Sequence, residues 1–250
     1  MKIKFSVAYL LTFLSLVFVI HEFEDWMHVM IGEWICGCWG TKGFNSWTLC
    51  DHSDVSGNIL VFVWLAGPLL AYSVIWVAWS VLESKRSTST WSIGFSLLFA
   101  TLPLGRILTA LSGTSDETYA FRELFQRPDG SNHGIVVALA LMLVLALTIP
   151  PIIKSAKIAG GLKENLYLIP LFLVLPLLAD YLVVSLGMNK LLSTGVMQEE
   201  SLPGTPFFVL LWGVFCLIYL LSTYRNLLTL FKKSEHRRRK RKSPVPIIEE

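Results

Sequence analysis

The stretch Phe5-Ser6-Val7-Ala8-Tyr9-Leu10-Leu11-Thr12-Phe13-Leu14-Ser15-Leu16-Val17-Phe18-Val19-Ile20 is followed at once by His21-Glu22-Phe23-Glu24-Asp25-Trp26-Met27-His28. Sixteen residues without charge or histidine lead into a turn carrying five acidic or histidine side chains. An uncharged apolar run of this kind reads as a membrane-crossing helix. Continued as a helix at about 100° per residue, His21, Asp25 and His28 share one face. Ionisable groups at the end of such a span are costly to place in a bilayer, so they mark a candidate site.

The rest of the chain agrees. Hydrophobic residues make up 54% and charged residues 16% of the 250, which excludes an ordinary soluble domain. Six segments are long and apolar enough to cross the bilayer: about 5–28, 58–82, 91–111, 133–153, 166–188 and 206–231. The expected fold is all-α, a polytopic membrane bundle over residues 1–231, with an outer loop at 29–57 and a basic tail at 232–250. The sequence contains no internal repeat.

Orientation follows from the basic residues. Lys2 and Lys4, Lys85 and Arg86, Lys154, Lys157 and Lys163, and the cluster from Lys232 to Lys242 all fall on one side. The alternate loops are net acidic, although Lys42, Arg122, Arg127 and Lys190 lie in them. The positive-inside rule then puts both termini in the cytoplasm, with a bacterial cytoplasmic membrane as the expected setting. The N-terminus also has the basic start and apolar core of a secretory signal. No small-residue cleavage site follows Ile20, so the first helix is read as retained.

Depth can be counted along each span at about 1.5 Å per residue. His21, Arg106 and Asp180 then stand about 24, 22 and 21 Å from the inner ends of their helices, at one level in the outer half. A lone charge at such a depth faces the protein interior and finds a partner, and Arg106 with Asp180 is the pair this count predicts. Pro68, Pro103, Pro170 and Pro176 lie inside spans and are expected to kink them.

The outer loop holds Cys36-Gly37-Cys38-Trp39-Gly40 and Cys50. On the oxidising side of the membrane, Cys50 is expected to bond Cys36 or Cys38; the alternative is a metal held by the three thiols and His52. Trp26, Trp34, Trp39 and Trp47 read as interfacial aromatics. The basic tail is expected to lie on anionic lipids of the inner leaflet. Nucleic acid is not an expected partner, because no aromatic interleaving or folded module accompanies the charge.

A His-Glu pair opening a polar helical turn, a Gly-rich loop, Ala66-Gly67-Pro68-Leu69 in the second span and Leu102-Pro103-Leu104-Gly105-Arg106 in the third together resemble the site-2 protease family of intramembrane zinc metalloproteases. The resemblance covers roughly residues 15–117. It implies zinc as cofactor, a membrane protein as substrate, His21 as the first ligand and Glu22 as general base. At the second ligand position stands Asp25 where the family has His. The family's third ligand, an Asp, falls at Gly105 here, so Asp116 or Glu117 downstream, and His28, are the substitutes the resemblance leaves. Three ligands and an open position would make a bound water acidic enough to attack a peptide carbonyl. The altered ligand set favours a relative without peptidase activity over an active zinc peptidase. The third class is a small transporter using the charges at one depth as a relay.

Overall fold

A computed structural model describes residues 2–3, 5–50, 55–84, 87–125, 133–160 and 162–232. His52 and all of the basic tail beyond Lys232 lie outside them. Six apolar stretches cross the bundle: Val7–Cys36, Gly57–Glu83, Thr88–Phe125, His133–Ala159, Tyr167–Ser193 and Phe207–Thr229. The chain is an all-α multipass membrane protein.

A short strand β1 (Lys2–Ile3) leads into α1 (Val7–Cys36). Ser6 caps α1 by accepting from the Tyr9 amide, and Gly37 ends it in the left-handed region at φ 71°. The helix thus runs two turns beyond the expected end near residue 28, carrying the whole acidic turn in regular helix. A hairpin of β2 (Lys42–Gly43) and β3 (Ser46–Trp47) follows, then α2 (Gly57–Glu83), which passes through Pro68 without a break.

The third crossing is broken. It consists of α3 (Thr88–Ala100), α4 (Pro103–Ser112) and α5 (Asp116–Phe125). Proline disfavours the helical region for the residue before it, and Leu102 takes φ 51°, ψ 51°, so that Pro103 starts a new helix. The break re-aims α4, which carries Arg106. The remaining elements are α6 (His133–Ala159), α7 (Leu162–Asp180), a π-helical stretch at Tyr181–Met188, α8 (Asn189–Ser193), the hairpin β4 (Glu200–Leu202) and β5 (Thr205–Pro206), α9 (Phe207–Thr223), a 3₁₀ turn at Tyr224–Thr229 and β6 (Phe231–Lys232).

Strand β1 pairs antiparallel with β6, Ile3 opposite Phe231. The two ends of the described chain therefore meet at one end of the bundle, as an even number of crossings requires. Near that end the core is aromatic: Tyr9, Phe13, Phe95, Phe99 and Phe172 are buried together, and the Tyr9 and Ser96 hydroxyls lie 2.7 Å apart. At the opposite end the two hairpins meet, with the Lys42 amide donating to the Gly204 carbonyl at 2.8 Å. Gly204 has φ 67°, and a Cβ there would stand 2.1 Å from the Gly40 carbonyl oxygen, so only glycine fits this crossing. Between the aromatic core and the hairpins lies a layer of charge.

Candidate functional site

Helix α1 builds this layer. Its polar turn presents Glu22, Glu24, Asp25 and His28, all buried, and His21, which is partly exposed. Each meets a different element.

His21 Nδ1 lies 3.4 Å from Asp180 Oδ1, and Asn45 Nδ2 donates to the other Asp180 oxygen at 2.7 Å. Asp180 stands where α7 widens into the π-helical stretch. Lys42, only 1% exposed, donates from Nζ to Glu22 Oε2 at 2.6 Å and stands 3.7 Å from Asp25 Oδ2. That Asp25 oxygen is enclosed and has no hydrogen-bond partner among the described residues. Arg106 contacts Glu24 through Nη2 and stands 3.6 Å from Glu117 Oε1 through Nη1. Tyr72 donates its hydroxyl to that Glu117 oxygen at 2.5 Å, and its ring lies 5.5 Å from the Arg106 guanidinium carbon.

His28 is held most tightly. Its Nδ1 lies 2.7 Å from the Val63 carbonyl oxygen, which can only accept, so Nδ1 carries the proton. Its Nε2 then faces Asp116 Oδ2 at 3.4 Å. The Trp47 ring stacks on the imidazole at 4.2 Å. Gly67 makes room for it: a Cβ there would fall 2.2 Å from His28 Nε2 and 3.1 Å from the Glu24 carbonyl. Gly67→Ala should therefore force α1 and α2 apart and cost about 1–3 kcal/mol, as overpacking does. Gly134→Ala, with no heavy atom within 4 Å of its Cβ, should lose nothing. Equal thermal stability of the two variants would contradict this packing.

Several expectations meet this geometry and change. Arg106 does not pair with Asp180; Arg106 turns to Glu24 and Glu117, and Asp180 to His21 and Asn45. A depth count fixes height in the bilayer but not rotation about each helix axis, and the Leu102 break rotates α4. His21, Asp25 and His28 share a face of α1 but not a centre. Two helical turns separate His21 from His28, about 10.5 Å along the axis, too far for both to hold one ion directly. Asp116, at the start of α5, does come to α1, opposite His28. Among the described residues, no three His, Cys, Asp or Glu side chains converge as metal ligands would.

His21 and Asp25, the first two ligands that the resemblance assigns to zinc, do not fit it. His21 is turned to Asp180, and the ammonium of Lys42 stands between the Glu22 and Asp25 carboxylates. Of the cysteines, Cys38 bonds Cys50 with Cα atoms 6.1 Å apart, and Cys36 is a free thiol. Trp47 packs inward on His28 rather than serving as an interfacial anchor.

Lys42, Glu24, Tyr72 and Asn45 were not identifiable as site residues from the sequence. Lys42 had one signal: it is the sole Lys or Arg among residues 29–57, in a stretch bracketed by cysteines.

No protein-family model, curated protein or solved structure matches this chain. Fold and site together define its class: a six-crossing helical membrane protein with a buried ionic layer near one end.

Proposed function

We propose that this chain is a membrane protein built on a plan similar to that of site-2 proteases, in which the metal-type turn has become an ionic lock without peptidase activity. The observation that carries the reading is Lys42. A general base must offer a carboxylate oxygen to a water molecule. The Glu22 oxygen instead accepts from a buried ammonium at 2.6 Å. The same ammonium supplies the positive charge for Asp25 that a metal would otherwise supply. The lock joins α1 to the outer hairpin, α4, α5 and α7. The excess of Lys and Arg at the β1–β6 end supports a cytoplasmic position for both termini, in a bacterial cytoplasmic membrane with anionic lipids under the basic tail.

One observation favours a second reading. His28 Nε2 and Asp116 Oδ2 stand 3.4 Å apart, close to the roughly 3.3 Å between two ligand atoms on a tetrahedral zinc. A backbone carbonyl fixing the other imidazole nitrogen is the usual support for a metal-bound histidine. In that reading zinc belongs to His28 and Asp116, not to His21 and Asp25.

Protein purified from zinc-supplemented cells separates the two. The lock predicts substoichiometric zinc and no Glu22-dependent cleavage of membrane-protein substrates in proteoliposomes. Stoichiometric zinc that disappears in His28→Ala and Asp116→Ala would establish the second reading.

A further inference from the structure

The hairpin that carries Lys42 is closed by a disulfide, and every inward contact it makes falls on the ionic layer or beside it. Cys38 and Cys50 are twelve residues apart. Between them Lys42 reaches Glu22 and Asp25, Asn45 reaches Asp180, and Trp47 covers His28. Phe44 is fully buried in a second apolar cluster with Phe18, Val184 and Val209. The loop is therefore a plug seated on the acidic turn. Outside the Cys38–Cys50 bond, two described hydrogen bonds tie its backbone to the rest of the protein: the Lys42 amide donates to the Gly204 carbonyl, and the Phe44 carbonyl accepts from Asn189 Nδ2 at 3.3 Å.

A third thiol stands beside the closure. Cys36 is the last residue of α1 and is partly exposed. Its carbonyl oxygen lies 3.7 Å from Cys38 Sγ, and Cys50 Sγ in turn lies 3.5 Å from the Cys38 carbonyl. The free thiol of Cys36 thus belongs to a residue two positions before the Cys38–Cys50 bond, in a cysteine-rich corner at the rim of the plug.

We propose that this corner is a redox latch, with Cys36 as its internal thiol. The Cys36 thiolate attacks Cys50 Sγ; the Cys36–Cys50 bond forms as the Cys38–Cys50 bond breaks, and the proton lost by Cys36 ends on Cys38. The exchange needs no outside oxidant or reductant. It lengthens the closed loop by two residues (from twelve to fourteen in separation) and slackens the plug. Complete release follows when a dithiol on the outer side reduces the remaining bond to two thiols and is itself oxidised to a disulfide. The latch rests on the hairpin being the cover of the acidic turn, not on whether that turn hydrolyses peptides.

The test uses the full-length protein in lipid nanodiscs. Amide exchange over residues 41–48 is followed before and after a membrane-impermeant phosphine, with residues 88–100 of α3 as the internal fold control. Reduction should speed exchange over 41–48 by about ten- to a hundredfold, because the open loop loses its covalent restraint, and leave α3 unchanged. Cys38→Ala/Cys50→Ala should show the fast rate without phosphine. Non-reducing peptide mapping at mildly alkaline pH should find both Cys38–Cys50 and Cys36–Cys50 in the wild type, and only Cys38–Cys50 in Cys36→Ser. Exchange that is unchanged on reduction overturns the latch. A single Cys38–Cys50 species in the wild type overturns the role of Cys36. Neither readout involves metal or cleavage, so failure here is distinct from failure of the lock.

Discussion

Arg106→Leu should destabilise the protein by about 3–5 kcal/mol, the usual cost of leaving a buried ionic partner uncompensated. The guanidinium is shared between Glu24 and Glu117, whose side chains are 11% and 1% exposed. Removing it leaves two carboxylates facing each other in a site largely closed to solvent by the protein. Adding Glu24→Gln and Glu117→Gln should recover most of the loss. Arg106→Lys should recover little, since one ammonium does not reproduce a planar fork reaching two carboxylates and lying against the Tyr72 ring. Asp180→Leu, made on the Arg106→Leu background, should add its own separate cost, because its partners are His21 and Asn45. Reversible unfolding in mixed micelles gives these differences. A strong coupling between positions 106 and 180 would show that the two charges meet after all, and that α4 is rotated away from the geometry described above.

That choice of partner shows where sequence reading reaches and where it stops. The crossings were legible because an apolar run of bilayer length has few other uses, and the β1–β6 pairing agrees with the even count that the Lys and Arg asymmetry implied. The ionic layer was legible as a depth, from His21, Arg106 and Asp180 at one level. Its pairing was not, because partner choice depends on helix rotation. Rotation here was set by Leu102, an apolar residue whose left-handed backbone has no signature beyond the proline after it. His28 and Asp116, which the resemblance named only as substitute ligands, do stand together. The disulfide was legible as two alternatives, and the structure selects Cys38. Lys42 was hidden for the opposite reason to Arg106. It lies in a loop that reads as solvent-exposed, and only the fold turns it inward.

Lys42→Met should be comparably costly, again about 3–5 kcal/mol, because Glu22 and Asp25 then share a buried corner with no cation. Asp25 is the more exposed to this loss: its Oδ2 already lacks a hydrogen bond and has Lys42 at 3.7 Å as its compensating charge. Glu22→Gln with Asp25→Asn, added to Lys42→Met, should restore most of the stability by removing the charge the lysine balances. The residual deficit would reflect the lost bond to the Gly43 carbonyl at 3.3 Å and the hairpin's looser seat. Lys42→Met also tests what the lysine replaces. With both carboxylates retained, the variant presents a buried acidic corner beside His21. If the ammonium stands where a metal would, zinc should raise the unfolding temperature of Lys42→Met and leave that of the wild type unchanged. Zinc that stabilises neither would make Lys42 a packing device rather than a substitute cation. A Lys42→Met protein as stable as the wild type would refute the lock itself, since a buried pair of carboxylates cannot lose its ammonium at no cost.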